Sequence, residues 1–144
     1  MRAAVLAVVF AAGCAMLEPP APVAPITTPD PLFSGTWVPV AAELGGKELK
    51  FGQDFRLVVD GERYEVLGAG ARDTGRLVFY ASDPKAFDVL GEEGPNKDLR
   101  LPAIYRFLPD GRMEACYDLA GRTRPGDFTT HPGTQLFRAI YRRR

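Results

Sequence analysis

From residue 36 to residue 142 the chain breaks into short runs of alternating apolar and polar residues, separated by glycine, proline and Asp-Gly pairs. Nowhere does the period of an amphipathic helix persist for a useful length. A sheet that has no helix to cover it can still bury one face by closing on itself, and closure also removes its exposed edges. The pattern therefore predicts an all-β fold, a small antiparallel up-and-down barrel of about eight strands. A two-sheet sandwich is the other arrangement that such spacing allows.

Asp60-Gly61 takes the positive φ angles of a tight hairpin most readily. On either side of it Phe55, Leu57 and Val59 alternate with Arg56 and Val58, and Tyr64 and Val66 with Arg63 and Glu65, giving one dry and one wet face. A first strand over 36–42 contains Pro39, which lacks a ladder donor and needs an edge, a bulge or a solvent-facing position. The glycine-rich stretch 68–75 reads as a loop, and strands follow over 76–80 and 87–90. Residues 91–102 read as the longest loop. A second hairpin over 103–108 and 112–118 turns at Pro109-Asp110-Gly111, and 135–142 forms the closing strand.

Met1-Arg2 and the apolar run 3–12 have the anatomy of a secretory signal, and the run is too short to span a bilayer, which takes ~20 apolar residues. Ala11-Ala12-Gly13-Cys14 resembles the bacterial lipoprotein cleavage box, with alanine where leucine is usual three residues before the cysteine. The resemblance implies a signal peptide over 1–13 and acylation of Cys14; ordinary cleavage near Ala15 is the alternative. Acyl chains contribute ~0.8 kcal/mol per buried methylene, enough for several chains on one cysteine to anchor a soluble domain to the membrane. Ala15, where an aspartate would retain the protein at the inner membrane under proteobacterial sorting rules, implies a cell-envelope lipoprotein of the outer membrane, facing the periplasm or the surface. A periplasmic or secreted protein is the other outcome. The proline-rich remainder of 14–32 reads as a semi-rigid spacer, leaving 33–144 as the barrel domain.

Gly35-Thr36-Trp37 resembles the Gly-x-Trp that opens the first strand of lipocalin-like barrels, where the indole plugs one end; a tight turn before a core tryptophan is the plainer reading. Later signals resemble, in order, an uncharacterised lipocalin-like domain family abundant in planctomycete bacteria. They are Gly46-Lys47, Asp83-Pro84 through Asp88, Glu93-Gly94-Pro95-Asn96-Lys97, Ile104-Tyr105, Asp110-Gly111, Cys116, Arg124-Pro125 with Phe128, Pro132-Gly133 and Arg142. Ala103 stands where that family usually has glycine. The resemblance implies a lipocalin- or calycin-like barrel and no established activity. Arg142 is the expected cap over Trp37, with Arg138 on the same strand face as its rival.

The formal charge is zero, so no basic excess points to nucleic acid. The lone His131 sits in a turn, no cysteine pair has ligand spacing, and Ser34 and Ser82 lack the glycines of a nucleophile elbow. No catalytic group, metal or cofactor is expected. Cys116 reads as a buried apolar thiol. Two functions remain: a tethered barrel that binds a small hydrophobic or amphipathic molecule, or an envelope module with a packed barrel that contacts a protein partner of unknown identity. For the first, the 91–102 loop and the 122–125 turn are the expected rim, with Tyr105, Tyr117, Arg122 and Arg124 as candidate ligand contacts. Many aromatic rings in a short domain favour a filled lumen, whereas a continuous void dotted with polar groups would favour the carrier.

Overall fold

A computed structural model describes residues 23–144. The signal segment, Cys14 and the first part of the proline-rich stretch lie outside the described residues. The strands are β1 (Pro25–Ile26), β2 (Gly35–Leu44), β3 (Lys47–Leu49), β4 (Arg56–Asp60), β5 (Arg63–Gly68), β6 (Ala71–Tyr80), β7 (Ala86–Glu93), β8 (Arg100–Phe107), β9 (Met113–Asp118) and β10 (Leu136–Arg143). Every pairing is antiparallel, and no helix occurs among the described residues. Around the barrel the order is β2, β4, β5, β6, β7, β8, β9 and β10, and the last pairs back onto β2. This is the closed eight-stranded up-and-down barrel expected from the sequence, lipocalin-like in architecture. Two short strands extend it: β3 continues the β2 edge beyond β4, and β1 does the same for β6 beyond β5.

Between the bulges, alternation puts one residue in two inside. On β8, Leu101, Ala103 and Tyr105 point inward, on β9 Met113, Ala115 and Tyr117, and on β10 Ala139 and Tyr141, and all belong to one buried cluster. Small and large residues share each level of the lumen. Ala42, Ala139, Ala115 and Tyr105 stand side by side across β2, β10, β9 and β8, and Phe137, Tyr117, Ala103 and Phe87 do so one level away. The alanines give the rings of neighbouring levels room to interdigitate, which is how a narrow barrel reaches interior packing density.

At one end the barrel is shut by residues 30–37. Phe33 inserts its ring edge-on among Phe79, Phe87 and Tyr105 at centroid distances of 5.0–5.3 Å. Trp37 is 0% exposed and donates its indole N–H to the Phe33 carbonyl at 2.9 Å. The guanidinium over the indole belongs to Arg143, 4.3 Å from the ring centroid, and not to Arg142 or Arg138. Parity decides this: Tyr141 and Ala139 face inward, so Arg143 shares their side, while Arg142 and Arg138 point outward. Arg143 also donates to the carbonyls of Ser34 at 2.6 Å and Leu32 at 2.5 Å. Gly35, at φ 143°, leaves the space that Arg143 uses, since a Cβ there would lie 2.4 Å from its Nη1. Pro39 sits beside a bulge, where the register with β10 skips Val40 and switches the inward face from Trp37 and Pro39 to Ala42.

Three boundaries differ from those expected. The spacer does not run to residue 32: β1 pairs with β6, and Asp30 accepts hydrogen bonds from Tyr105 Oη at 2.9 Å and Lys85 Nζ at 3.3 Å, so the barrel begins before residue 33. The glycine-rich stretch is no loop, because β5 and β6 run through it and turn at Ala69-Gly70. The 91–102 loop shrinks to residues 94–99, and the longest connection is 119–135, which folds over the outside of the barrel.

Candidate functional site

The end opposite Trp37 is not filled. A cavity of about 290 Å³ runs inward from it, floored by Phe33, Phe87 and Tyr141 and walled by Leu57, Leu77, Val89 and Leu101. Its rim is Phe55, Gly68, Ala71, Pro95, Leu119 and Phe137. Space remains because inward positions of β5 and β6 near this end are small. Gly68 and Ala71 are the ones that line it, while farther along β6 Gly75 admits the close approach of β7 and Tyr64, since a Cβ there would lie 2.0 Å from the Leu90 carbonyl oxygen and 2.9 Å from the Tyr64 ring. Opposite, rings brace the rim, with Phe137 stacked on Tyr117 at 5.6 Å and Phe51 against Phe55 at 4.4 Å.

One carboxylate interrupts this apolar wall. Asp73, inward on β6 and 6% exposed, accepts from Tyr64 Oη at 3.0 Å, from the Asn96 backbone N–H at 3.0 Å and from Asn96 Nδ2 at 2.9 Å. The 94–99 loop is built to deliver Asn96. Gly94, at φ 94°, lies so close to β6 that a Cβ would meet the Arg72 carbonyl at 2.3 Å, and Gly91 is as tight against the Asn96 carbonyl. Burial, and then the Asp73 charge, push the Tyr64 phenol well above its ordinary range, so it stays a donor. Deeper in the cavity the hydroxyls of Tyr117 and Tyr141 lie 3.5 Å apart, and burial raises both, Tyr141 to about 12.

The expected contacts divide. Tyr117 lines the cavity, and part of the expected loop, Pro95 and Asn96, forms the rim. Tyr105 points inward but stands at the shut end, its ring against Phe33 and its hydroxyl on Asp30. Arg124 lies outside the barrel and is fully engaged, donating to the carbonyls of Phe87 and Ala103 at 3.0 Å each and to Asp88 at 2.7 Å. Arg122 belongs to a turn in which Asp118 accepts the N–H groups of Ala120, Arg122 and Thr123, and neither arginine reaches the rim. Burial alone would raise the Asp118 carboxyl, but those three N–H groups hold it below the usual range.

The outer face carries two more buried carboxylates, each held by two arginines. Asp88 meets Arg100 and Arg124, with Tyr80 donating to the same group, and Glu114 meets Arg106 and Arg138. Beside them Ala86, Ile104 and Cys116 form a small apolar cluster covered by Tyr80 and Phe128 from the 119–135 connection. That cover buries the Cys116 thiol and pushes it up to about 11. Asp73 was hidden from sequence reasoning by its glycine-rich neighbours. The signal was nonetheless present: Ala71, Asp73, Gly75, Leu77 and Phe79 alternate with Arg72, Thr74, Arg76 and Val78, the pattern of a strand with one wet face. The chain matches no protein-family model, no curated protein and no solved structure.

Proposed function

We propose that this chain is a non-catalytic lipoprotein of the cell envelope whose lipocalin-like barrel binds one small hydrophobic or amphipathic molecule. The observation that carries the reading is the continuous apolar cavity with a few convergent polar groups at the open end. Its volume, about 290 Å³, lies at the lower limit of small-molecule sites and suits a single short-chain or ring compound. Binding is favoured over turnover because Asp73 is tied down by three hydrogen bonds, while Cys116 and His131 lie outside the lumen. The ring-filled half around Phe33 is what a packed interaction module would show throughout, and it supports that second reading only for the shut end. Anchoring rests on Cys14 and the small residues before it.

Mass spectrometry of small molecules that co-purify with the full chain tests the carrier. A single hydrophobic or amphipathic compound near one equivalent is expected, and repeated purification with none would favour the packed module. A palmitate analogue fed to producing cells tests the anchor; label that survives Cys14→Ser would remove it.

A further inference from the structure

We propose that the molecule held in this cavity carries a protonated amine head and that Asp73 is its anchor. This rests on the carrier reading above and goes on to name the chemistry of the guest. The other buried acidic side chains show what is unusual here. Asp88 and Glu114 each have two arginines, and Asp118 has three backbone N–H groups in a turn away from the lumen. Asp73 alone of these faces the cavity, and its partners among the described residues are the neutral Tyr64 and Asn96. A carboxylate 6% exposed in an apolar wall, held only by neutral donors, gains more than any exposed acid from an incoming cation.

The hydrogen bonds of Asp73 leave acceptor capacity for that cation. A carboxylate has about four acceptor positions. Asn96 Nδ2 and Tyr64 use Oδ2, and the Asn96 backbone uses one position on Oδ1, so one acceptor position on Oδ1, the oxygen nearer Gly94, is left unused. Leu57, Leu77, Val89 and Leu101 would take the apolar body below. A fatty acid meets the opposite situation, since its carboxylate would stand against Asp73 in a wall that, among the described residues, no arginine or lysine lines. The chain's zero formal charge gives no general attraction for cations that would mimic this preference.

Displacement of the uncharged fluorophore Nile red from the purified full chain, in detergent-free buffer at neutral pH, compares octylamine, octanol and octanoate. We expect octylamine to displace it at least about tenfold more tightly than octanoate, with octanol between them. Asp73→Asn keeps the side-chain shape, removes the charge, and should bring octylamine to the level of octanol. If that variant does not fold, the ranking on the unaltered chain decides alone. Octanoate binding as tightly as octylamine would overturn the amine head and leave the carrier reading standing, whereas an amine preference that persists in Asp73→Asn would overturn Asp73 as anchor. Failure of Nile red and of all three amphiphiles to bind would overturn the carrier reading and the amine with it.

Discussion

Gly35 and Trp37 form one unit with Arg143, which lies more than a hundred residues further along the chain. The indole is fully buried, its N–H is satisfied by Phe33, and Arg143 closes over it while holding the carbonyls of Ser34 and Leu32. Trp37→Ala should cost about 3–5 kcal/mol in a urea melt, the range for emptying a large core site. Arg143→Ala should cost about 1–3 kcal/mol through the lost stacking and two carbonyl bonds. Arg142→Ala, on the wet face, should stay within about 0.5 kcal/mol. Equal costs for the two arginines would refute the assignment. Cys116 gives a second test. Its folded-state thiol, raised to about 11 from an ordinary 9.0, binds its proton more tightly than in the unfolded chain. The stability this contributes is complete below the ordinary value and is lost as pH rises through the folded one. Cys116 should therefore resist a thiol reagent at pH about 9 in the native protein and react at once in denaturant; fast native labelling would place the thiol at the surface.

At the scale of strands and connections, most of the barrel was legible because the alternation of residues such as Leu57, Val59, Tyr64 and Val66 is itself the inward face. Composition misled where it dominated over period. Glycine at 68, 70 and 75 concealed a ten-residue strand, and proline at 25, 29 and 31 concealed β1 and the Asp30 contact. The Arg142 assignment failed for a related reason, since the parity of the aromatic Tyr141 already picks out Arg143. The contact of Asp30 with Tyr105 spans 75 residues and leaves no periodic trace. Asp30→Ala would strand the hydroxyl of Tyr105, a residue 2% exposed, and should cost about 1–3 kcal/mol, with Tyr105→Phe recovering part of the loss in the double variant. Lys85→Ala removes only an exposed ion pair and should change stability little. Asp30→Ala as mild as Lys85→Ala would return residues 25–32 to the role of spacer.

For the molecule as a whole, what the sequence hid is an asymmetry between the two ends. The rings do point inward, as a filled lumen requires, but they crowd around Phe33, and the open end keeps glycine and alanine on β5 and β6. Total ring volume could not reveal this, because the levels at which rings meet are set by register across eight strands. A cavity in an otherwise close-packed interior forfeits dispersion contacts, so a side chain that fills it without displacing its neighbours should stabilise the fold. Val66 is half-buried on β5, lines the cavity and packs against the core. Val66→Phe extends a ring into that space and should raise stability by about 0.5–2 kcal/mol in urea melts. The same change should weaken Nile red binding, because fluorophore and ring compete for one volume. Stabilisation together with lost binding means that the protein keeps empty space at the expense of its own stability, as a container must. Destabilisation by overpacking would instead show that the cavity is already closed by the side chains around it.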